Sequence, residues 1–194
     1  MRLPQPATAR YSFQFFLLVS LFIPATQASA EKADSQKTAY ISAEQNVSDL
    51  KTNTTTFSGN VELTRGTLTV HAARAVVTES AEKAGTFVLF GEAGTPVSFR
   101  QKRDGGPDLW LEGSADRVEY NDKSEIVKFI SKAKVRYMEG KRMLQEQVGE
   151  FLSYDGLNDV FIATNSSSGK HVPGGGRVTL TIEPQIDAKA EKNK

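Results

Sequence analysis

Thr54-Thr55-Thr56-Phe57-Ser58-Gly59-Asn60-Val61-Glu62-Leu63, then Thr67-Leu68-Thr69-Val70-His71 beyond Arg65-Gly66, then Ala73-Arg74-Ala75-Val76-Val77-Thr78, is the stretch that decides the fold. Val, Thr, Leu and Phe favour extended backbone, and the Arg65-Gly66 pair supplies the turn between two runs. Successive strand residues point to opposite faces. Val61 and Leu63 therefore share one face while Asn60, Glu62 and Thr64 share the other, and Leu68 and Val70 oppose Thr67, Thr69 and His71. One side is apolar and the other polar, as expected of antiparallel strands with one face on a core and the other in water.

The same pattern continues outward. Thr86 to Phe90 follows Gly85, and Pro96 to Gln101 and Leu109 to Glu112 flank the turn Asp104-Gly105-Gly106-Pro107. Glu139-Gly140 and Asp155-Gly156 mark two further hairpins. No window keeps a helical period over three turns. The sequence predicts about a dozen or more short strands in an all-β sandwich, jelly roll or barrel-like stack.

An internal repeat runs through these strands. Ala72-Ala73-Arg74-Ala75-Val76-Val77 is similar to Ala115-Asp116-Arg117-Val118-Glu119-Tyr120 and, more loosely, to Gly149-Glu150-Phe151-Leu152-Ser153-Tyr154. Each copy ends with an inward pair: Ala75 and Val77, Val118 and Tyr120, Leu152 and Tyr154. Ile41-Ser42-Ala43-Glu44 reads as a truncated first copy. The copies start 43 and 34 residues apart, which fits stacked hairpins with variable loops better than a strict solenoid.

The ends carry a different signal. Arg2 and Arg10 precede an apolar run of 11 residues, Phe13 to Ile23, then Pro24 and the small-residue site Ala28-Ser29-Ala30. That order predicts a secretory signal over residues 1–30, cleaved after Ala30, because a membrane-spanning helix needs about 20 apolar residues. The remaining 164 residues suffice for one soluble domain with a core. Residues 31–37 and 184–194 read as polar tails around a domain at 38–183. Of 24 basic and 23 acidic residues, the signal holds two Arg and no acid, so 22 basic and 23 acidic remain. Such balance gives no footprint for nucleic acid or for a basic membrane patch.

Catalytic equipment is missing from the pattern. There is no Cys, so neither a thiol nucleophile nor a Cys-ligated metal is expected. His71 is expected at the end of a strand on its polar face, and His171 within the Ser- and Gly-rich loop 166–176. Neither has a partner at ligand or triad spacing. Asp116, Glu119 and Glu150 occupy repeat positions where turn or edge roles suffice. Gly174-Gly175-Gly176 lacks the Lys-Ser or Lys-Thr pair of a phosphate loop. No catalytic residue, metal or cofactor is assigned.

Phe57-Ser58-Gly59-Asn60-Val61, then Thr64-Arg65-Gly66-Thr67-Leu68, then Ala72 to Thr78, resembles the periplasmic bridge proteins of lipopolysaccharide transport, the OstA-like family. The resemblance runs from about Ile41 to Ile182 and includes Gly94-Thr95-Pro96 before Val97-Ser98-Phe99. It implies an antiparallel β-jelly roll, an open V-shaped stack of hairpins, whose apolar interior takes the acyl chains of lipid A. It also implies head-to-tail homo-oligomers linking an inner-membrane lipopolysaccharide export complex to an outer-membrane translocon across the periplasm. Carried onto this chain, it places lipid at Ile41, Phe99 and Tyr120. Inward alternation separately nominates Leu63, Val70, Val118 and Leu152, although alternation alone fits a closed core as well as a groove. Arg177 to Glu183 is the expected terminal edge for strand addition between protomers. Two departures stand out: Ala73 replaces the acid that Asp116 and Glu150 keep, and Ala39 stands where a larger aliphatic is usual.

Two other readings compete. The membrane-anchored partner of the same transport system has a related β-domain behind a retained helix, against which the Ala28-Ser29-Ala30 site speaks. A secreted carbohydrate-binding or adhesive β-sandwich would use exposed aromatics as a platform, with Trp110 as its candidate.

Overall fold

The computed structural model describes residues 34, 37–80, 85–106, 108–158 and 160–184. The expected signal and cleavage site, nearly all of both polar tails, and Pro107 of the predicted turn lie outside these residues. Twelve strands appear among them, all paired antiparallel: β1 Ala39–Ser42, β2 Gln45–Asp49, β3 Thr54–Arg65, β4 Leu68–Glu79, β5 Gly85–Phe90, β6 Val97–Lys102, β7 Leu109–Ala115, β8 Arg117–Asn121, β9 Ile126–Glu139, β10 Arg142–Asp155, β11 Val160–Thr164 and β12 Thr179–Ile182.

Not all are short. β3 and β4 have 12 residues each, and β9 and β10 have 14. The stretches Thr67 to His71 and Ala73 to Thr78, read as separate strands, are one continuous β4. His71 accordingly lies inside a strand, paired with Glu62 and Ser98, and not at a strand's end. The physical reason lies across the ladder. The pairing of β3 with β4 shifts between Ser58 and Val61, so that Gly59 and Asn60 take up an extra residue at φ 79° and 44°. The bulge lets a strand bend without ending.

The long strands divide the sheet into two halves. In the first half, β1 pairs the C-terminal part of β3, whose ladder continues through the N-terminal part of β4 to β6, β7, the C-terminal part of β9, the N-terminal part of β10, and β12. In the second, β2 pairs the N-terminal part of β3, and the ladder runs through the C-terminal part of β4 to β5, β8, the N-terminal part of β9, the C-terminal part of β10, and β11. Each half is eight segments wide. They meet along one row of corners.

The sequence repeat is that row. Ala73 lies opposite the Gly59-Asn60 bulge, and Asp116 and Glu150 flank the corner at Ser131 and Lys132, where φ is 65° and 52°. The backbone amide of Asp116 donates to the Ser131 carbonyl at 3.0 Å, and Lys132 Nζ is 3.1 Å from the Asp116 carboxylate. The truncated first copy takes its place too: the Glu44 amide donates to the Gly59 carbonyl at 3.0 Å, and Asn60 Nδ2 donates to the Glu44 carboxylate. Positive φ recurs at these corners, at Gly59, Asn60, Ser131 and Lys132, where the long strands cross from one half-sheet to the other.

The core fills the space between the halves near this row. Val61, Val97, Ala115, Ala133 and Leu152 are buried there, joined by Leu63, Val70, Ala75, Leu89, Val118, Phe129 and Val135. Phe99 of β6 and Phe129 of β9 belong to different half-sheets, yet their rings stack at 5.1 Å. Gly113 makes the contact possible, since a Cβ there would sit 2.0 Å from Phe99 Cε1.

Candidate functional site: the apolar seam and its rim

Register turns the inward residues into rows. In the first half-sheet, Ile41, Leu63, Val70, Phe99, Gly113, Val135, Gln147 and Leu180 are directly cross-strand neighbours in sequence from β1 to β12. Cross-strand neighbours point the same way, so one band crosses the whole half-sheet. In the second, a matching band runs from Phe57 through Ala75, Leu89, Val118, Phe129 and Leu152 to Ala163. Two residues further from the corner lie Phe87, Tyr120, Val127, Tyr154 and Phe161.

All seven sequence-nominated residues fall on these three rows. Ile41, Leu63, Val70 and Phe99 share one, Val118 and Leu152 share the second, and Tyr120 lies on the third. Their exposure differs. Leu63, Val70, Val118 and Leu152 are buried, Leu152 completely, and form the floor of the seam; Ile41, Phe99 and Tyr120 keep part of their surface. Tyr120 packs on Phe87 with ring centroids 6.1 Å apart, and its hydroxyl donates to Asp122 Oδ1 at 3.2 Å. Burial, then the neighbouring Asp122 charge and hydrogen bond, push its phenol up to about 12. It stays a neutral, half-apolar wall.

Farther from the corner polar groups enter the inward face between Leu68, Leu111 and Tyr137. Arg65 follows Val61 and Leu63 in alternation, and Gln101 pairs with Leu111, which pairs with Tyr137 and through it Gln145. Arg103 rests over the Tyr137 ring at 4.5 Å. Beneath this rim, Asp34 accepts from the Thr67 amide and hydroxyl and lies 3.4 Å from Lys37 Nζ. Burial alone would raise its carboxyl, but the bonds from Thr67, Lys37 and Gln101 outweigh it and hold the group below its ordinary value. No motif in the sequence marks this rim; it follows from continuing the alternation past Leu63 and Tyr120.

The outer faces carry charge. Arg100 and Glu112 are 3.5 Å apart, and Glu146 lies 2.6 Å from Arg136 Nε and 3.9 Å from Lys134 Nζ. Arg100, Glu112, Lys134 and Arg136, with His71, Ser98 and Ser114, line a shallow outward cleft of about 490 Å³. Trp110 stands beside this cleft, one ring face covered by Arg100 at 4.1 Å and its indole NH donating to Asp108. His171 is exposed in the loop before β12. Among the described residues no three His, Asp or Glu gather as metal ligands, and no helix is long and apolar enough to cross a membrane.

The terminal strands break the rule of apolar inside and polar outside. Tyr40 on β1, Val47 on β2, Val160, Phe161 and Ile162 on β11, and Leu180 and Ile182 on β12 are all exposed. Each of these strands has a ladder on one side only.

An apolar seam between facing antiparallel half-sheets, a polar rim and unpaired strands at both ends define an open-ended β-jelly roll. The chain belongs to the LptA/(LptD N-terminal domain) LPS transport protein family, which it matches over residues 40–156. It is 28% identical over 130 residues to the lipopolysaccharide export system protein LptA of Haemophilus influenzae, covering 67% of this chain and 74% of that one. The protein of the same name from Escherichia coli K12 is 32% identical over 120 residues, 62% of this chain and 63% of the relative. The chain thus spans just under two thirds of that second protein. The crystal structure of LptH, an LptA-homologous periplasmic component of lipopolysaccharide transport from Pseudomonas aeruginosa, matches with a TM-score of 0.65 at 17% identity. It covers 78% of this chain and 99% of its own, and agrees with the jelly-roll fold.

Proposed function

We propose that this protein binds lipopolysaccharide by the lipid A acyl chains along the seam. Copies joined head to tail by strand addition then pass it through the periplasm from an inner-membrane export complex to an outer-membrane translocon. The observation that carries the reading is the unbroken inward band from Ile41 to Leu180, apolar except at Gly113 and Gln147, which crosses the half-sheet from one free edge to the other. A core that served only stability would close at its ends.

Burying a methylene is worth about 0.8 kcal/mol, so an acyl chain of about a dozen carbons costs on the order of 9 kcal/mol to leave in water. A seam that shields the chains while the sugar headgroup stays wet removes that barrier. The step makes and breaks no bond, so neither a catalytic residue nor a cofactor has a role. Export past a signal cleaved after Ala30 would leave the domain free in the periplasm.

Equilibrium binding of purified lipopolysaccharide tests the reading. A carboxylate on the inward Phe99 row is expensive to bury beside alkyl chains, so Phe99→Asp is expected to weaken binding at least about tenfold. Ser98→Asp, on the outward cleft, is expected to leave it near the unsubstituted value. Equal effects at both positions would contradict the seam. The carbohydrate-binding alternative is weakened at Trp110, one of whose ring faces is already occupied by Arg100.

A further inference from the structure

The two half-sheets are joined covalently at the corner row, but they also touch at the opposite side of the seam. Arg65 ends β3 in the first half-sheet, and Asp122 follows β8 in the second. Arg65 Nη1 lies 3.8 Å from Asp122 Oδ1, while Arg65 Nε donates to the Lys37 carbonyl at 3.2 Å. Asp122 also receives the Tyr120 hydroxyl. The two residues are five and six positions beyond the corner residues Asn60 and Asp116, so the contact lies far along both arms. It bridges the rim where the apolar rows end.

We propose that Arg65 and Asp122 form a clasp across the mouth of the seam, and that an anionic headgroup replaces Asp122 on the Arg65 guanidinium when an amphiphile's alkyl chain enters. The inference rests on the seam as the acyl-chain site. Chemistry favours the exchange: at 3.8 Å the pair is longer than a charge-assisted hydrogen bond, and both partners remain partly exposed, with side chains 26% and 36% accessible. A phosphate monoester offers more charge and three acceptor oxygens, which suit a guanidinium fork better than one distant carboxylate. Alternation points Arg65 inward on the same face as Leu63, so an anion held there keeps its alkyl chain beside the Leu63 and Tyr120 rows. The clasp thus sorts ligands by headgroup charge where the inner rows sort by length and apolarity.

Two amphiphiles with the same tail test this: dodecyl phosphate and dodecyl maltoside, titrated calorimetrically below their micelle concentrations into the full chain and into Asp122→Asn and Arg65→Gln. The unsubstituted protein is expected to prefer the phosphate by about tenfold. Both substitutions release the clasp, so both are expected to tighten dodecyl maltoside binding by a similar factor. Only Asp122→Asn is expected to keep the phosphate preference, and Arg65→Gln to lose it. Retention of the preference in Arg65→Gln would overturn the inference, as would weaker phosphate binding in Asp122→Asn. Binding of both amphiphiles without discrimination by the unsubstituted chain would overturn the clasp and leave the seam standing; no binding of either would overturn both. Circular dichroism spectra and unfolding midpoints of the variants separate loss of fold from loss of preference.

Discussion

Gly113 shows how much one missing side chain decides. On its lateral row it stands between Phe99 and Val135, and the Phe99 ring lies over it on the way to Phe129. A Cβ would meet Phe99 Cε1 at 2.0 Å, Phe99 Cζ at 2.8 Å and the Lys134 carbonyl at 3.0 Å. Gly113→Val is therefore expected to displace the ring and lower unfolding free energy by about 1–3 kcal/mol in urea titrations. An unchanged midpoint would mean that the stacked pair does not hold the half-sheets together. The inward orientation of Phe99, Leu63 and Leu152 was legible from alternation, because a period of two needs no tertiary information. The division into buried floor and accessible wall was not, because it depends on which side chain lies opposite across the seam. Arg65 and Asp122 were illegible as a pair for the same reason: they are 57 positions apart, on different half-sheets.

At the scale of elements, turns were the reliable signal and corners the unreliable one. Arg65-Gly66, Glu139-Gly140 and Asp155-Gly156 each stand at a hairpin, because Gly at these sites marks a reversal in the chain. The Ala72-Ala73 step looked like a break but is a crossing, since the partner strand absorbs the bend at Gly59 and Asn60. The Ser131-Lys132 corner carried no signal at all; Ser and Lys are ordinary strand-face residues until the backbone forces them to positive φ. The repeat was visible in the sequence, but its meaning as a line of corners required the ladder. The terminal strand was placed well: Arg177 to Glu183 contains β12, which pairs only with Gln145 to Val148 of β10 and leaves Leu180 and Ile182 exposed. The strand addition proposed above would join this apolar edge to β1 or β2 at the other end, a contact that does not close on itself. Deleting residues 177–194 is expected to abolish concentration-dependent association in light scattering while leaving a folded protomer. Undiminished association would assign the joint to another surface.

For the whole molecule, the two half-sheets divide the work by face. The outer face pairs its charges with one another, as Arg117 with Glu119 at 2.8 Å and Arg136 with Glu146 at 2.6 Å, in pairs that are partly accessible to solvent. The inner face supplies the core near the corners and an apolar band beyond it. The seam is open to site-specific photo-crosslinking in cells, with the reactive side chain at Ile41 and Phe99 on the inward row and at Ser42 and Ser98 as their outward neighbours. A lipid-binding seam would give crosslinks to lipopolysaccharide at Ile41 and Phe99 and none at Ser42 and Ser98. Equal labelling of both faces, or no labelling at the inward pair, would contradict it.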